Sequence, residues 1–368
     1  MDDLDIFRKA ASALNAGKNI ALVTVISTTG STPGKVGYKM LVSAESSEIT
    51  GTVGGGLTEG RLIEIATSML PEARSRVLCF DFGGTGEDEK GICGGSAEFL
   101  VETFDKKSLP LFEKLSTAIA KGEKGALISI ISPDKPPEKI LLKDTAPLDT
   151  ATGTNLAQEV IASIKEMVAG KQAAKKMSGP GFEVFVETIA GQPPLIIFGA
   201  GHLSCHISRY AKSLHFTVTV CDDRAEYANK ARFPDADYII VEDFERVFDK
   251  IHVDSNSYIV IVTRGHKYDR MILQQALRTS AKYIGMIGSK RKTLTILKTL
   301  HEEGIPDRTL DRVFSPVGIS IGAVTPEEIA LSIVCELVKI RRLGRSRRTG
   351  HMTVSFSKTP SEEIEGNL

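Results

Sequence analysis

Three glycines, Gly54-Gly55-Gly56, run into a stretch whose apolar residues Leu62, Ile65, Ala66 and Met69 recur at helical spacing. Free backbone N–H groups at such a helix start can cradle an anion. Glu59 follows three residues after Gly56. If Gly56 is the N-cap, Glu59 folds back on it as half of a capping box. A carboxylate there repels a phosphate, but it could accept hydrogen bonds from an N–H-rich heterocycle edge such as the amino-pyrimidinone of a pterin. Taken alone, the loop favours the cap. A second glycine-rich stretch holds Cys93 in Gly91-Ile92-Cys93-Gly94-Gly95. Flanking glycines open a thiol to close approach, and nearby amides favour its thiolate. The competing reading is an inert buried cysteine at a strand start, which the loop by itself favours.

A third constellation lies in the second half. Gly199-Ala200-Gly201-His202-Leu203-Ser204 follows an apolar strand pattern and precedes a helical one. The first glycine permits a tight turn, the second lets a pyrophosphate approach the backbone, and Ser204 is small enough for close helix–strand packing. His202 sits where the helix amides converge, to touch a phosphate or to cap the helix. Asp222 closes the next strand, where an acid would meet a ribose. Thr263-Arg264-Gly265-His266-Lys267-Tyr268-Asp269 crowds four ionisable groups onto a loop after another strand. Gly288-Ser289-Lys290-Arg291-Lys292 adds cationic charge at the same edge. These signals predict a nucleotide-type fold; whether it binds a dinucleotide such as NAD(P) is left open, because fold does not fix ligand.

The chain as a whole narrows the function classes. Its 368 residues suggest about two domains. Lys+Arg and Asp+Glu both number 46, and Trp is absent. This balance does not suit a protein that coats nucleic acid or an anionic membrane. Five cysteines without CxxC spacing argue against a disulfide framework or a zinc site and fit a cytoplasmic protein. Cys79, Cys205, Cys221 and Cys335 sit in apolar patterns and read as packing residues. No run has transmembrane or signal-peptide character.

The elements that must position these loops are legible in outline. Helical patterns cover 4–16, 109–121 and 155–168 besides the run after the glycine triplet, and strand patterns cover 20–26, 39–42, 49–53, 77–82, 97–104, 126–131 and 182–189. From residue 194 strands and helices alternate strictly. Strands are expected at 195–198, 216–221, 238–241, 258–262 and 283–287, and helices after Gly201 and at 224–232, 243–250, 267–279 and 290–303. That alternation predicts a parallel sheet with helices on both faces. A last helix over 326–343 opens with Thr325-Pro326-Glu327-Glu328, a good cap, first-turn proline and acids. The fold class is α/β, with a mixed α/β domain over 1–104, an extension and linker over 105–191, a Rossmann-like doubly wound domain over 192–343, and a disordered tail over 344–368.

The ordered set of loops resembles the XdhC/CoxI family of xanthine dehydrogenase accessory factors. It is carried by Thr29-Gly30-Ser31-Thr32-Pro33-Gly34, Gly51-Thr52-Val53-Gly54-Gly55-Gly56 with Glu59, and Cys93-Gly94-Gly95. In the second half it is carried by Phe198-Gly199-Ala200-Gly201-His202, Asp222-Asp223-Arg224, Thr263-Arg264-Gly265-His266 with Asp269, Tyr283–Ser289, Ser315–Ile319 and Thr325–Ala330. The resemblance implies a molybdenum-cofactor chaperone rather than an enzyme, commonly dimeric. Such factors bind molybdopterin or its cytosine dinucleotide form, assist sulfuration by a cysteine desulfurase, and serve a xanthine dehydrogenase-like molybdenum hydroxylase. It implies cofactor contacts from Gly54, Gly55, Gly56, Glu59, Cys93, Gly94, Gly95, Gly199, Gly201, His202, Asp222, Arg264 and His266, with Cys93 as the metal-binding thiol. Leu57 stands where the family often has a cysteine, and Ser320 where it usually has an aspartate. The rival is an NAD(P)-dependent oxidoreductase using the same glycine loop.

Overall fold

The computed structural model describes residues 3–43, 49–82, 94–132, 134–143, 162–164, 166–167, 173–179, 182–189 and 191–344. Two compact units cover Met1–Gly191 and Gln192–Leu368.

The first unit begins with α1 (Asp3–Asn15) and holds an antiparallel sheet of five strands: β1 (Ile20–Thr29), β2 (Lys39–Ser43), β3 (Thr50–Gly51), β4 (Ser75–Asp81) and β5 (Ser96–Phe104), in the order β3-β2-β1-β5-β4. Strand β1 is buried on both faces, which explains its continuous apolar run rather than an alternating one. Ala21, Val23 and Val25 pack toward Leu62, Ala66 and Met69 of α2 (Gly56–Met69). Ile20 and Leu22 pack toward α1 and α3 (Leu109–Ala120), through Phe7, Leu14, Phe112 and Leu115. The segment after α3, which reads from sequence as an extension and linker, carries a second antiparallel sheet. Its strands β6 (Gly125–Ile130), β7 (Glu138–Lys143), β8 (Ala174–Gly179) and β9 (Phe182–Ile189) run in the order β7-β6-β9-β8. Strands β7 and β8 were not expected, because the lysines of Glu138–Lys143 and Ala174–Gly179 mask their β pattern. Most of the helix expected over 155–168 lies outside the described residues; 162–164 and 166–167 are helical.

The second unit is a six-stranded parallel sheet in the order β12-β11-β10-β13-β14-β15. The strands are β10 (Pro194–Phe198), β11 (Thr217–Asp222), β12 (Tyr238–Val241), β13 (Tyr258–Ile261), β14 (Tyr283–Met286) and β15 (Val313–Phe314). This is the doubly wound nucleotide-fold order, with its reversal beside β10, where such sheets open a crevice at the carboxyl ends of the strands. Helices α4 (His202–Ser213) and α8 (Pro326–Leu343) cover one face, around Ile207, Phe216, Ile333 and Leu337. Helices α5 (His266–Ala276) and α6 (Lys290–Glu302) cover the other, around Ile272, Leu273, Ile296 and Leu300, with the single turn α7 (Asp307–Leu310) beside α6. Thr325 caps α8 as expected, and with Glu328 it forms a reciprocal capping box.

Two expected helices are absent. Residues 224–232 fold as turns, because the Asn229 amide donates to the carbonyls of Ala225 and Glu226 while its oxygen accepts from the Arg232 N–H. That local bonding offers the backbone an alternative to the helix. Residues 243–250 form turns and one 3₁₀ segment, Val247–Lys250. The sixth strand, β15, has only two residues and leaves no periodic trace. No described helix is long and apolar enough to cross a membrane.

Candidate functional site

In the first unit, three loops converge at one end of the five-stranded sheet. A Cβ on Gly34 would lie 2.1 Å from the Val53 carbonyl oxygen, and one on Gly95 would lie 2.3 Å from that of Thr29. The Thr29–Gly34 segment is therefore held, backbone against backbone, between Gly94–Gly95 and Val53–Gly54. A bridge from Ser31 to Gly94 and a 2.7 Å hydrogen bond between Thr29 and Ser96 add to this. The structure thus brings Gly54, Gly55, Gly56 and Glu59 together with Gly94 and Gly95. Cys93, the neighbour of Gly94, lies outside the described residues.

Glu59 closes the triple-glycine loop. Gly55, not Gly56, is the N-cap of α2, so the carboxylate reaches back from the fourth helical residue. Its Oε2 accepts from Thr52 Oγ1 (2.5 Å), Val53 N (2.9 Å) and Gly55 N (3.1 Å). Partial burial disfavours the charge, but these bonds outweigh it and lower the Glu59 pKa. The carboxylate is thus ionised and bound to the chain through one oxygen. The space a side chain would fill at Gly55 and Gly56 is open, and Leu57 beside them is 81% exposed.

In the second unit the predicted residues gather at the carboxyl edge. Gly199 (φ 104°) turns the chain after β10, and a Cβ there would lie 2.5 Å from the Val262 carbonyl oxygen. Its glycine is thus required by the fold, whereas a Cβ on Gly201 would meet nothing. Gly201 is the N-cap of α4, His202 is its exposed first residue, and buried Ser204 donates to the Gly199 carbonyl. Asp222 is 1% exposed and fully engaged. It accepts from Ala200 N (2.7 Å) and from Arg224 N, Nε and a terminal guanidinium nitrogen (3.1, 2.9 and 3.2 Å). A carboxylate has about four lone-pair positions, so none is left for a ribose. Arg264 makes a two-pronged pair with Asp223 (2.5 and 2.7 Å) and donates to Tyr268. That pairing, against a smaller effect of burial, holds the Asp223 carboxyl below its ordinary range. His266 is the exposed first residue of α5.

Two arrangements were not singled out from sequence. Asp269, fully buried, accepts from Thr263 Oγ1 (2.7 Å) and from Lys292 Nζ (2.5 Å). The sequence marks Asp269 and Lys292 separately, on the Thr263–Asp269 loop and in the Lys290-Arg291-Lys292 run, but not their pairing. Glu336, buried inside α8, accepts from the Tyr283 hydroxyl (2.5 Å) and Gly318 N (3.0 Å), which ties the Ser315–Ile319 loop to the sheet. One expectation fails: Cys79 is exposed on edge strand β4, not packed in a core, because β4 has a neighbour on one side only. Cys221 is buried, and Cys205 and Cys335 are half-buried. Among the described residues no group of three His, Cys, Asp or Glu could hold a metal ion.

The chain is similar to known proteins along most of its length. The chain is 25% identical over 328 residues to a Bacillus subtilis protein named as a probable xanthine dehydrogenase subunit, covering 87% of this chain and 93% of that one. It is 24% identical over 340 residues to the Escherichia coli molybdenum cofactor insertion chaperone PaoD, covering 92% and 89%. Escherichia coli YqeB, described as uncharacterized, is 23% identical over 340 residues; the match takes in 92% of this chain but 46% of YqeB, about half its length. A crystal structure of a Bacillus halodurans xanthine dehydrogenase superposes with a TM-score of 0.77 at 26% identity, over 95% of this chain and 98% of that one. The model of the XdhC and CoxI family matches residues 13–81, and that of the XdhC Rossmann domain matches 195–337. With both domains present in that order, the chain belongs to the XdhC and CoxI family.

Proposed function

We propose that this protein is a molybdenum-cofactor accessory protein that binds the pterin cofactor and delivers it to a xanthine dehydrogenase-like molybdenum hydroxylase. Its likeness along most of its length to a cofactor insertion chaperone and to a protein named for xanthine dehydrogenase supports this reading. The observation that carries it against the rival is the state of Asp222. An NAD-dependent oxidoreductase of this fold uses that acid for a ribose hydroxyl, and here Ala200 and Arg224 occupy it.

The residues present fit the organic and phosphate parts of such a cofactor. Gly55, Gly56 and Gly201 leave their surroundings open, and the basic residues of the second unit's sheet edge suit an anion. The cofactor, when bound, carries the metal for the client enzyme. The candidate contacts of the first unit are Glu59, as an acceptor, with Gly94 and Gly95; those of the second unit's sheet edge are Gly199, Gly201, His202, Arg264 and His266. Cys93 is assigned as the thiol that meets the metal or its sulfur. Sulfuration by a cysteine desulfurase partner, a homodimeric state and a cytoplasmic location complete the proposal.

The test is purification from a molybdate-fed host, oxidation, and fluorescence detection of released pterin, with NAD and NADP titrations alongside. Retained pterin and activation of a molybdenum hydroxylase are expected. Absence of pterin together with NAD-dependent hydride transfer would overturn the reading.

A further inference from the structure

The turns over 224–232, which stand where a helix is expected, bring Arg232 to helix α4. The Arg232 N–H donates to Asn229 Oδ1 (3.1 Å), which closes the turn. The next residue, Phe233, is buried in the core on the α4 face of the sheet and anchors the segment there. The Tyr227 ring steers two guanidinium groups, that of Arg224 at 3.8 Å from its centroid and that of Arg232 at 4.9 Å. Arg224 is committed to Asp222 and Asp223. Arg232 has no carboxylate partner among the described residues. Its side chain instead meets a sulfur, with a terminal guanidinium nitrogen 4.0 Å from Cys205 Sγ.

Cys205, Ser208 and Arg209 stand at positions i, i+3 and i+4 of α4 and so share one stripe of that helix. With Arg232, Phe233 and Asp235 they line a cavity of about 40 Å³, enough for a molecule little larger than water. Arg209 and Asp235 are exposed, and Cys205 is half-buried. Ser208 is 2% exposed, and its hydroxyl has no hydrogen-bond partner among the described residues. Buried hydroxyls are ordinarily paired. The Cys205 thiol donates to the Gly201 carbonyl at 3.6 Å. The cavity therefore collects a thiol, a guanidinium with donors unspent and a buried hydroxyl that makes no bond. Sulfur is a weak acceptor for both donors, whereas an oxygen carried on that sulfur is a strong one.

We propose that Cys205 is a redox modification site, at which a small peroxide converts the thiol to a sulfenic acid held by Arg232 and Ser208. The Cys205 sulfur, as thiolate, attacks one oxygen of hydrogen peroxide. The S–O bond forms as the O–O bond breaks, the sulfur gives up two electrons, and the leaving oxygen takes the thiol's proton and departs as water. Arg232 stands beside the sulfur, where it offsets the negative charge that moves from sulfur to the leaving oxygen. The other described thiols lack this setting. Cys79 is exposed on β4 with no hydrogen-bond or cationic partner among the described residues, and Cys221 is buried beside Asp222.

The test treats the full chain with hydrogen peroxide, removes the excess with catalase, and quenches into denaturant containing dimedone, which tags sulfenic acids. Peptide mass spectrometry reads the tag on each cysteine. Cys205 should be tagged at peroxide doses that leave Cys79 and Cys335 untouched. Arg232→Met keeps much of the packing stem but removes the donors, and should slow Cys205 tagging about tenfold without changing that of Cys79. Ser208→Ala should slow it less, in the same direction. Cys221 is the check on folding in each sample, because its burial keeps it untagged in a folded protein. Cys205 tagged no sooner than Cys79, or a rate unchanged in Arg232→Met or in Ser208→Ala, would each overturn the proposal.

Discussion

Glu102 on β5 and Lys139 on β7 meet between the two sheets of the first unit, with Nζ 2.6 Å from Oε2 and both side chains almost wholly buried. Burial raises the Glu102 pKa; Lys139 opposes this, and nearby Glu187 adds to it. A carboxyl with a raised folded pKa binds its proton more tightly when folded. Its contribution is therefore favourable at low pH and is lost as pH climbs from the ordinary carboxylate range through the folded value. Relative to the wild type, Glu102→Leu/Lys139→Met should lack that decline and should be neutral or more stable by about 1–4 kcal/mol. Lys139→Met alone should cost about 3–5 kcal/mol near neutral pH, because it strands a buried carboxylate. Urea unfolding across pH measures both, and a wild-type slope unchanged in the double variant would refute the assignment.

Glu59 carries the opposite sign. Its lowered pKa means that its stabilisation is complete above the ordinary carboxylate range and disappears as pH falls through the folded value. Glu59→Gln should cost about 0.5–2 kcal/mol, as loss of a helix cap does. It should also weaken pterin retention by more than this stability loss accounts for. Melting temperature and released-pterin fluorescence separate the two effects; reduced stability with full retention would assign Glu59 to capping alone.

Gly199 and Gly201 look equivalent in a motif and should behave differently. Gly199→Val forces a side chain onto a positive φ and into the Val262 carbonyl, so it should fail to fold or unfold well below the wild type. Gly201→Val has open space and should fold, but it blocks close approach to the α4 amides and should abolish phosphate-ligand binding. Circular dichroism and calorimetry on both proteins decide; a Gly201→Val protein that binds pyrophosphate normally contradicts the site.

Thiol reactivity should follow burial. Burial, assisted by Asp222, pushes the Cys221 thiol up to about 12, so it should resist iodoacetamide in the native protein. Cys79 is exposed on an edge strand and should label readily. Cys93→Ser should reduce cofactor retention or client activation with little change in melting temperature, the behaviour of a functional thiol. Peptide mapping of labelled native protein supplies the order, and early unfolding of Cys93→Ser with intact client activation would make it a packing residue.

What the sequence determined was whatever depends on neighbours along the chain. The turn at Gly199–Ser204, the series of parallel strands after residue 194 and the Thr325 cap are local patterns, and each stands in the structure as its residue types require. The failures follow from the same physics. Residues 224–232 have helical composition, but Asn229 bonds its own backbone, and strand β15 is too short to show a period. Only the tertiary structure decided how charges were spent. Asp222 reads as a ribose acceptor until the sheet sets it beside Ala200 and Arg224 wraps it. Lys292 reads as one of three surface bases until β13 and β14 align and carry it to Asp269. Pairings such as these, and Glu102 with Lys139, join strands and helices far apart in the chain. Their partners are chosen by sheet order and packing, which a run of residue types does not encode locally.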